Sequence, residues 1–291
     1  MTDCLVIGDR VYSSWSLRAW LLWAAFDTPV EVQLAPMYTA AFSAGLAPFA
    51  PARLVPAARI GAALVWDSLA IAETLAETRP EIWPDDPALR AGARALAAEM
   101  HSGFEALRGA CPMNLRGALS GFEASDAVLA DLDRLETLWR WAWRHDVPGI
   151  WLFGRYSVAD AFFAPVAARI AGYDLPVSAP AQRYVAQHLA HPAFRRWRAM
   201  GLADGVAHAR YEMDLPSRPW PGPTPIAAEP VRDLSPVNKT CPYSGKPVAD
   251  DSLARIRGSV IGFCNPWCRD KTVADAEAWP KAIALLQRPA P

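Results

Sequence analysis

Residues Tyr12–Leu22 are the stretch that most restricts how this chain can fold. The apolar run Leu5–Ile7 comes shortly before it, and its second half has apolar side chains at helical spacing. This order predicts a strand, a short loop and the first turn of a helix. Ser13, Ser14 and Ser16 lie where that helix has unpaired N–H groups and the positive end of its dipole. The serines therefore indicate either a helix cap or a place that holds an anion.

The next segments predict a second strand and then a hairpin followed by a helix. Val30–Leu34 alternates apolar and polar residues, as a strand does. Ala57–Ile60 and Ala63–Trp66 are two short extended pieces separated by a glycine turn. A polar pair that begins at Asp67 precedes an amphipathic run and marks a helix start. The order β-α-β then β-β-α predicts a thioredoxin-like α/β domain over residues 1–82.

Beyond this domain the strand signals give way to helices. Ala88–Ala110 is rich in alanine, leucine and arginine, and Ser125–His145 has apolar residues at helical spacing with charges between them. Residues 88–214 therefore predict an all-helical bundle. The proline-crowded residues 215–236 predict a stiff linker, and residues 237–288 predict a small cysteine-containing module. The predicted fold class is α/β plus all-α, with this module as an appendage.

Composition excludes several classes of protein. Hydrophobic residues make up 52% of the 291 residues and include 13 tryptophans, which is enough apolar surface for folded cores. The 29 lysines and arginines balance 30 acidic residues, and no long basic run occurs, so neither nucleic acid nor an anionic membrane is an expected partner. The chain has no apolar run of membrane-spanning length, and its N-terminus lacks the pattern of a secretory leader, so we expect it in the cytoplasm.

Three segments together carry a family resemblance. They are Tyr12–Arg18, the pair Val55-Pro56, and Asp67–Glu73, at the spacings of the family. In this combination the chain resembles the glutathione S-transferase superfamily over roughly its first three quarters, and the serine core is closest to serine-type classes such as the zeta class. The resemblance implies an enzyme that adds glutathione thiolate to a small electrophile, or isomerises a substrate with the help of glutathione, and that works as a homodimer.

The resemblance also implies roles for individual residues at the start of the first helix. Ser14, or as the alternative Ser13, would donate a hydrogen bond to the glutathione sulfur and favour its thiolate. Trp15 would belong to the same glutathione site. Taken without the resemblance, one of the serines is a helix cap.

Two further segments are implied to hold the rest of the tripeptide. Val55 would pair its backbone with the cysteinyl part of glutathione, and Pro56 would turn the chain through a cis peptide bond. Asp67 and Ser68 would receive the γ-glutamyl end at a helix N-terminus. For Ser68 the alternative is a helix cap.

The chain departs from the family pattern just before Val55. Arg53 and Leu54 stand where family members usually have glycine and then lysine or glutamine, and Leu54 cannot supply the usual polar contact near the glycyl end of glutathione. This departure supports a rival interpretation. In it, the protein is a non-catalytic binding module of the same fold whose tail senses or holds metal.

Two candidates for a second-substrate pocket lie in the helical region. His101 and Asn114 occur where the first long helix of the family overlooks the glutathione cleft, and either would meet a polar substrate. The alternative is that His101 is an ordinary surface histidine and that neighbouring Cys111 is a packed core thiol.

Ser157 and Asp160 form the pattern Ser-x-x-Asp before an apolar run. This is a capping-box variant, in which each side chain bonds the backbone N–H of the other residue. It resembles the N-capping box of the buried core helix in the glutathione transferase helical domain. Its predicted role is in folding.

The last part of the chain contains three of the five cysteines. Cys264 and Cys268 precede a helical run over Val273–Leu286, and Cys241 lies in a Pro/Gly turn, which together suit a soft metal. The segment resembles the treble-clef modules called YHS or TRASH domains, which implies zinc, although Ser244 stands where those modules have a further cysteine. The candidate donors for a fourth position are Asp250, Asp251 and water. The alternatives are a metal-free module and, third, a disulfide, which a reducing compartment disfavours.

Overall fold

The structure is a computed structural model that describes residues 2–286 of the chain. These residues divide into two compact units. The first runs up to Leu189 and includes His208–Pro221, and the second consists of Ala190–Ala207 and the chain from Gly222 onward. Each unit is built around its own buried residues.

A four-stranded sheet forms the N-terminal part of the first unit. Its strands and helices are β1 (Cys4–Ile7), α1 (Ser14–Ala24), β2 (Glu31–Leu34), α2 (Ala41–Leu46), β3 (Ala57–Ile60), β4 (Ala63–Trp66) and α3 (Ser68–Ala76). The strand order is β2-β1-β3-β4, with β1 parallel to β2 and antiparallel to β3. The apolar residues of β1 are fully buried, as expected for a central strand covered on both faces. The predicted thioredoxin-like arrangement is confirmed.

Helices make up the rest of the first unit. They are α4 (Pro87–Ser102), α5 (Glu105–Ala110), α6 (Asp126–Trp143), α7 (Val158–Tyr173) and α8 (Ala179–Ala190), and a two-residue strand β5 (Ala118–Leu119) pairs with β6 (Ser217–Arg218). Helix α7 is buried along almost its whole length and packs against α1 and α4. The helical domain is therefore assembled around α7. The predicted helical domain is confirmed, although it also contains the two-residue strand β5.

The helix predicted over Ala88–Ala110 is interrupted. Gly103 is extended after its N–H bonds the carbonyl of Glu99, and Phe104 is left-handed with φ of 60°. Glycine is a poor helix former, which favours a break at Gly103. The Phe104 side chain is buried, so its packing stabilises a left-handed backbone that a helix does not contain. The prediction of one continuous helix was wrong, and α4 and α5 are separate helices.

The described part of the second unit combines three α-helices with a small sheet. Its elements are α9 (Pro192–Asp204), β7 (Ala228–Val231), β8 (Leu253–Ile256), β9 (Ser259–Gly262), α10 (Pro266–Ala274) and α11 (Pro280–Leu286). The strands form an antiparallel sheet in the order β7-β8-β9, and α10 packs against α9. The run predicted as helical over Val273–Leu286 is broken between α10 and α11. Asp275 is extended after α10 and its side chain accepts the N–H of Ala278, while Pro280 is the first residue of α11.

The predicted proline-rich linker over residues 215–236 contains two strands, β6 and β7. Residues 287 and 288 of the predicted module lie outside the described residues. The domain boundaries themselves stay predictions. Within residues 2–286, no helix has the length and apolar character needed to cross a membrane.

Candidate functional site

A cavity of about 960 Å³ opens in the first unit beside the start of α1. Six of the residues predicted for the glutathione site line it, namely Ser13, Ser14, Trp15, Val55, Pro56 and Asp67. Three separate segments of the sequence therefore meet at one cavity.

Ser13 is the N-cap of α1. Its Oγ accepts the N–H of Ser16 at 3.4 Å, and its hydroxyl donates to Ser16 Oγ at 2.7 Å. Ser16 Oγ in turn accepts the N–H of Gly8 at 2.9 Å. Ser13 is therefore the helix cap that the capping interpretation predicts, and its proton is donated within the loop to Ser16.

Ser14 has a different environment at the cavity wall. Its Oγ accepts a hydrogen bond from Arg169 Nη2 at 3.0 Å, and its hydroxyl donates to Met113 Sδ at 3.7 Å. A thioether sulfur is a weak acceptor. A stronger acceptor that enters the cavity would therefore receive the Ser14 proton in place of Met113.

The Val55–Pro56 peptide bond is cis, and both residues line the cavity. Leu54 lies beside them with 75% of its surface exposed, and Arg53 also lines the cavity. The departure from the family pattern therefore lies at the cavity itself, in a position open to solvent.

Asp67 caps α3 and faces the cavity. One carboxylate oxygen accepts the N–H of Leu69 at 2.8 Å and that of Ala70 at 3.4 Å, with φ of 76° at Asp67. The other oxygen lies 3.2 Å from His101 Nε2. Ser68 follows it, fully buried, and its hydroxyl has no hydrogen-bond partner among the described residues.

The two residues predicted for a substrate pocket lie elsewhere. His101 pairs with Asp67 and is not part of the lining of the main cavity. Asn114 lines a neighbouring cavity of about 310 Å³ and donates to the carbonyl of Tyr211 at 3.4 Å. The structure therefore does not bring either residue together with Ser14.

Aromatic side chains form one wall of the main cavity. Tyr12 stacks on Tyr211 with ring centroids 4.3 Å apart, and the hydroxyls of Tyr38 and Tyr211 are 2.8 Å apart. All three residues line the cavity, together with Met113 and Pro112. This wall suits a flat, largely apolar ligand.

Three arginines near the start of α1 were missed by the sequence analysis as site residues. Arg108 and Arg169 line the cavity, and Arg18 is fully buried. The guanidinium of Arg18 lies 4.8 Å from the Trp15 ring, and that of Arg108 lies 5.1 Å from the same ring. The only sequence signal for Arg169 is that a cation interrupts the apolar run of α7.

The guanidiniums of Arg18 and Arg169 are charged in spite of their burial. Burial lowers the pKa of Arg18 to about 9, and the neighbouring charges of Arg169 and Arg108 add to this effect. Burial likewise lowers the pKa of Arg169 to about 10. At neutral pH all of this charge is still present, so the cavity has a positive side.

The second unit contains a separate cluster of thiols. The sulfur atoms of Cys241, Cys264 and Cys268 all lie within 4.8 Å of one another, and those of Cys264 and Cys268 are 4.0 Å apart. All five cysteines of the chain are free thiols in the structure. Asp250 and Asp251, considered above as a fourth ligand, do not join the group.

Two polar residues adjoin the thiol cluster. Ser244 donates its hydroxyl to Cys264 Sγ at 3.2 Å. The Lys271 ammonium is enclosed by the rings of Tyr243, Trp267 and Trp279 at 4.1 to 4.5 Å from their centroids. It lies one helical turn from Cys268 and supplies positive charge beside the sulfur atoms.

The family profile of the glutathione S-transferase N-terminal domain matches residues 12–78. Among solved structures, a glutathione transferase homologue from Burkholderia with bound glutathione is 21% identical and covers 69% of this chain and 99% of its own, with a TM-score of 0.54. Glutathione transferase Omega 2S from Trametes versicolor, in complex with 2,4-dihydroxybenzophenone, is 22% identical and covers 71% and 100%, with a TM-score of 0.53.

A glutathione S-transferase from Bombyx mori described as unclassified 2 is 19% identical and covers 68% of this chain and 94% of its own, with a TM-score of 0.54. A search of curated proteins finds no significant match. The family model matches part of the N-terminal domain, and the chain has the fold of these glutathione transferases over the part that they cover.

Proposed function

We propose that the protein is a glutathione transferase in which Ser14 stabilises the thiolate of glutathione. The observation that carries this proposal is the Ser14 hydroxyl at the cavity wall, which donates its proton to the weak acceptor Met113 Sδ at 3.7 Å. The profile match over residues 12–78 and the glutathione bound to the Burkholderia homologue support glutathione as the ligand.

In this proposal glutathione lies along the segments that line the cavity. Its sulfur accepts the hydrogen bond of Ser14, and its cysteinyl backbone pairs with that of Val55 beside Pro56. Its γ-glutamyl end lies at the start of α3, where Asp67 receives the ammonium group and the positive end of the helix dipole faces the carboxylate. Ser68 is fully buried and outside the cavity lining, so its part in holding the carboxylate is that of a residue in this first turn. Trp15 lines the same part of the cavity.

The reaction is a nucleophilic substitution or addition. The thiolate sulfur forms a bond to the electrophilic carbon of the second substrate, and the displaced electron pair leaves with a leaving group or moves onto the substrate. In a glutathione-assisted isomerisation, the same adduct later expels glutathione. The aromatic wall of Tyr12, Tyr38 and Tyr211 holds an apolar electrophile against the sulfur.

Glutathione binding and its dependence on residue 54 test the proposal. Titration calorimetry with the full chain is expected to give saturable binding. Leu54→Gln is expected to tighten it by about threefold to tenfold, because it supplies the missing polar contact worth about 1 kcal/mol. Leu54 is exposed, so the substitution leaves the core intact.

The rival interpretation predicts a different pattern. A non-catalytic module would show no conjugation of glutathione with any member of a panel of aryl halides and unsaturated carbonyl compounds. Folded protein that binds no glutathione, as wild type or as Leu54→Gln, would contradict the enzyme proposal. The expected homodimer and the cytoplasmic location belong to the proposal too, and sedimentation analysis and cell fractionation test them.

We further propose that Cys241, Cys264 and Cys268 hold zinc. Zn–S bonds of about 2.3 Å in a tetrahedral site put sulfur atoms roughly 3.8 Å apart. The Cys264–Cys268 separation of 4.0 Å fits this distance, and thiolates are the ligands that zinc prefers in such sites. Ser244 or water would complete the coordination, and Lys271 would offset the negative charge of three thiolates.

Metal analysis of the purified chain tests this second proposal. Wild type is expected to contain about one zinc per chain, and Cys264→Ser is expected to contain almost none, because two thiolates do not retain zinc. Cys4→Ser and Cys111→Ser are matched controls that should keep the metal, since both lie outside the cluster. Equally low zinc in wild type and Cys264→Ser would contradict the proposal, and fewer than five free thiols without reductant would favour a disulfide.

A further inference from the structure

Arg169 is bonded to Ser14 although the two residues lie far apart in the sequence. Its guanidinium is buried and makes three hydrogen bonds. Nε donates to the carbonyl of Cys111 at 2.8 Å, Nη1 to that of Pro165 at 3.1 Å, and Nη2 to Ser14 Oγ at 3.0 Å. The two carbonyls fix the plane of the guanidinium, so the third donor is held at Ser14.

This bond determines what the Ser14 hydroxyl can do. A serine hydroxyl has one proton to donate, and its orientation follows from its neighbours. Because Arg169 can only donate, it occupies a lone pair of Ser14 Oγ and leaves the proton free. That proton points toward Met113 Sδ, in the lining of the cavity.

The same region carries positive charge, and the Asp67 carboxylate, which also lines the cavity, offsets part of it at Arg18. None of Arg18, Arg108 and Arg169 forms an ion pair among residues 2–286. None of the three guanidinium nitrogens of Arg18 has a hydrogen-bond partner in that part of the chain, and its contacts are with the faces of Trp15 and Phe162. Buried positive charge of this kind favours an anion nearby.

We propose that Arg169 is a positioning residue for Ser14, and that its charge, together with those of Arg18 and Arg108, favours the thiolate of bound glutathione over the thiol. The inference rests on the proposed function. In this inference the helical domain, through Arg169 of α7, lowers the pKa of a thiol that is bound to the thioredoxin-like domain. Arg169 acts on the thiol in two ways, through its hydrogen bond to Ser14 Oγ and through its charge at the cavity wall.

The pKa of the bound glutathione thiol tests this inference directly. It is measured from the ultraviolet absorbance of the thiolate as pH is varied, in wild type, Arg169→Met and Arg169→Lys. Arg169→Met is expected to raise the pKa by about one to two units, a change of 10- to 100-fold in acidity. Arg169→Lys keeps the charge and should recover most of the wild-type value.

A matched control separates this effect from a structural one. Arg218 also bonds a carbonyl of α7, that of Ala171, but it does not contact Ser14. Arg218→Met should therefore leave the thiol pKa unchanged even if it lowers the melting temperature. The affinity for S-methylglutathione, which has no ionisable thiol, should stay within about twofold in every folded variant.

The outcomes distinguish this inference from the proposed function. An equal shift of the thiol pKa in Arg169→Met and Arg218→Met, or none in either, would overturn the role of Arg169 while glutathione binding stands. If folded wild type does not bind S-methylglutathione, the proposed function fails, and this inference fails with it. If Arg169→Met does not fold, Arg169→Lys and Arg169→Gln decide in its place, since Gln keeps a donor but removes the charge.

Discussion

Ser14→Ala is expected to lower kcat/KM for glutathione conjugation by about 100- to 1,000-fold. The substitution removes a hydroxyl whose proton faces a sulfur acceptor at the cavity wall, Met113 Sδ at 3.7 Å. Loss of one donor that stabilises a developing or bound anion typically has an effect of this size. The fall should lie mainly in kcat at a fixed pH below the thiol pKa, because less of the bound glutathione is thiolate. Steady-state kinetics over a range of pH measure it.

Ser13→Ala is the matched control for this prediction. Ser13 donates its proton to Ser16 Oγ and caps α1, so its loss should reduce the free energy of unfolding by about 1 kcal/mol. Its effect on kcat/KM should be less than about tenfold. A larger kinetic effect for Ser13→Ala than for Ser14→Ala would reverse the two roles. Unchanged kinetics in Ser14→Ala would remove Ser14 from the reaction.

The sheet and the glutathione segments could be predicted because their signals are local. Ala57–Ile60 and Ala63–Trp66 form β3 and β4 with the predicted limits, since two short extended pieces and a left-handed Gly61 at the turn between them specify the hairpin. The capping box of α7 is equally local, and both of its hydrogen bonds are present. Such features depend on residues close in sequence, where spacing alone carries the information.

The arginine side of the cavity could not be predicted in the same way. Arg169 and Ser14 lie 155 positions apart, and their contact depends on how α7 packs against α1. Nothing in the sequence around Arg169 specifies which carbonyls and hydroxyls its guanidinium will reach. Periodicity gives the buried face of a helix, but a hydrogen bond across two domains requires their packing as well.

The predicted linker illustrates a local rule that tertiary structure overrides. Residues 215–236 are rich in proline, which argues against strands, yet β7 includes Pro230. The sheet order β7-β8-β9 places β7 at an edge, where a residue without an N–H can be tolerated. Whether a proline segment is an edge strand depends on a partner strand, and β8 begins more than twenty residues later.

Asp160→Ala is expected to destabilise the first unit by about 4 kcal/mol. The carboxylate is fully buried and accepts from Leu152 N at 3.1 Å, Ser157 N at 2.9 Å, Ser157 Oγ at 3.2 Å and Tyr184 Oη at 2.8 Å. Alanine leaves these donors buried without an acceptor, and each such group costs about 1–3 kcal/mol unless it relaxes. Denaturant unfolding followed by circular dichroism measures the loss.

Asp160→Asn separates the hydrogen bonds from the charge. Asparagine keeps an acceptor oxygen but replaces the other oxygen by a donor, so we expect a loss of about 2 kcal/mol. Activity per folded molecule should stay near wild type in this variant, because Asp160 is absent from the lining of the cavity. A larger loss in Asp160→Asn than in Asp160→Ala would show that the donors find other acceptors when the carboxylate is removed.

The difference in the free energy of unfolding between wild type and Asp160→Asn should also depend on pH. Burial raises the pKa of Asp160 to about 6 from 3.8, against the opposing effect of its hydrogen bonds. Because the folded state then binds the proton more tightly than the unfolded chain, the stabilisation from protonation is complete below about pH 4. This stabilisation is lost as the pH rises through the folded-state pKa of about 6. The difference between the two pKa values corresponds to about 3 kcal/mol. Asparagine does not titrate, so the advantage of wild type should widen between pH 7 and pH 5. A constant difference over that range would mean that the four donors hold the pKa of Asp160 near its ordinary value.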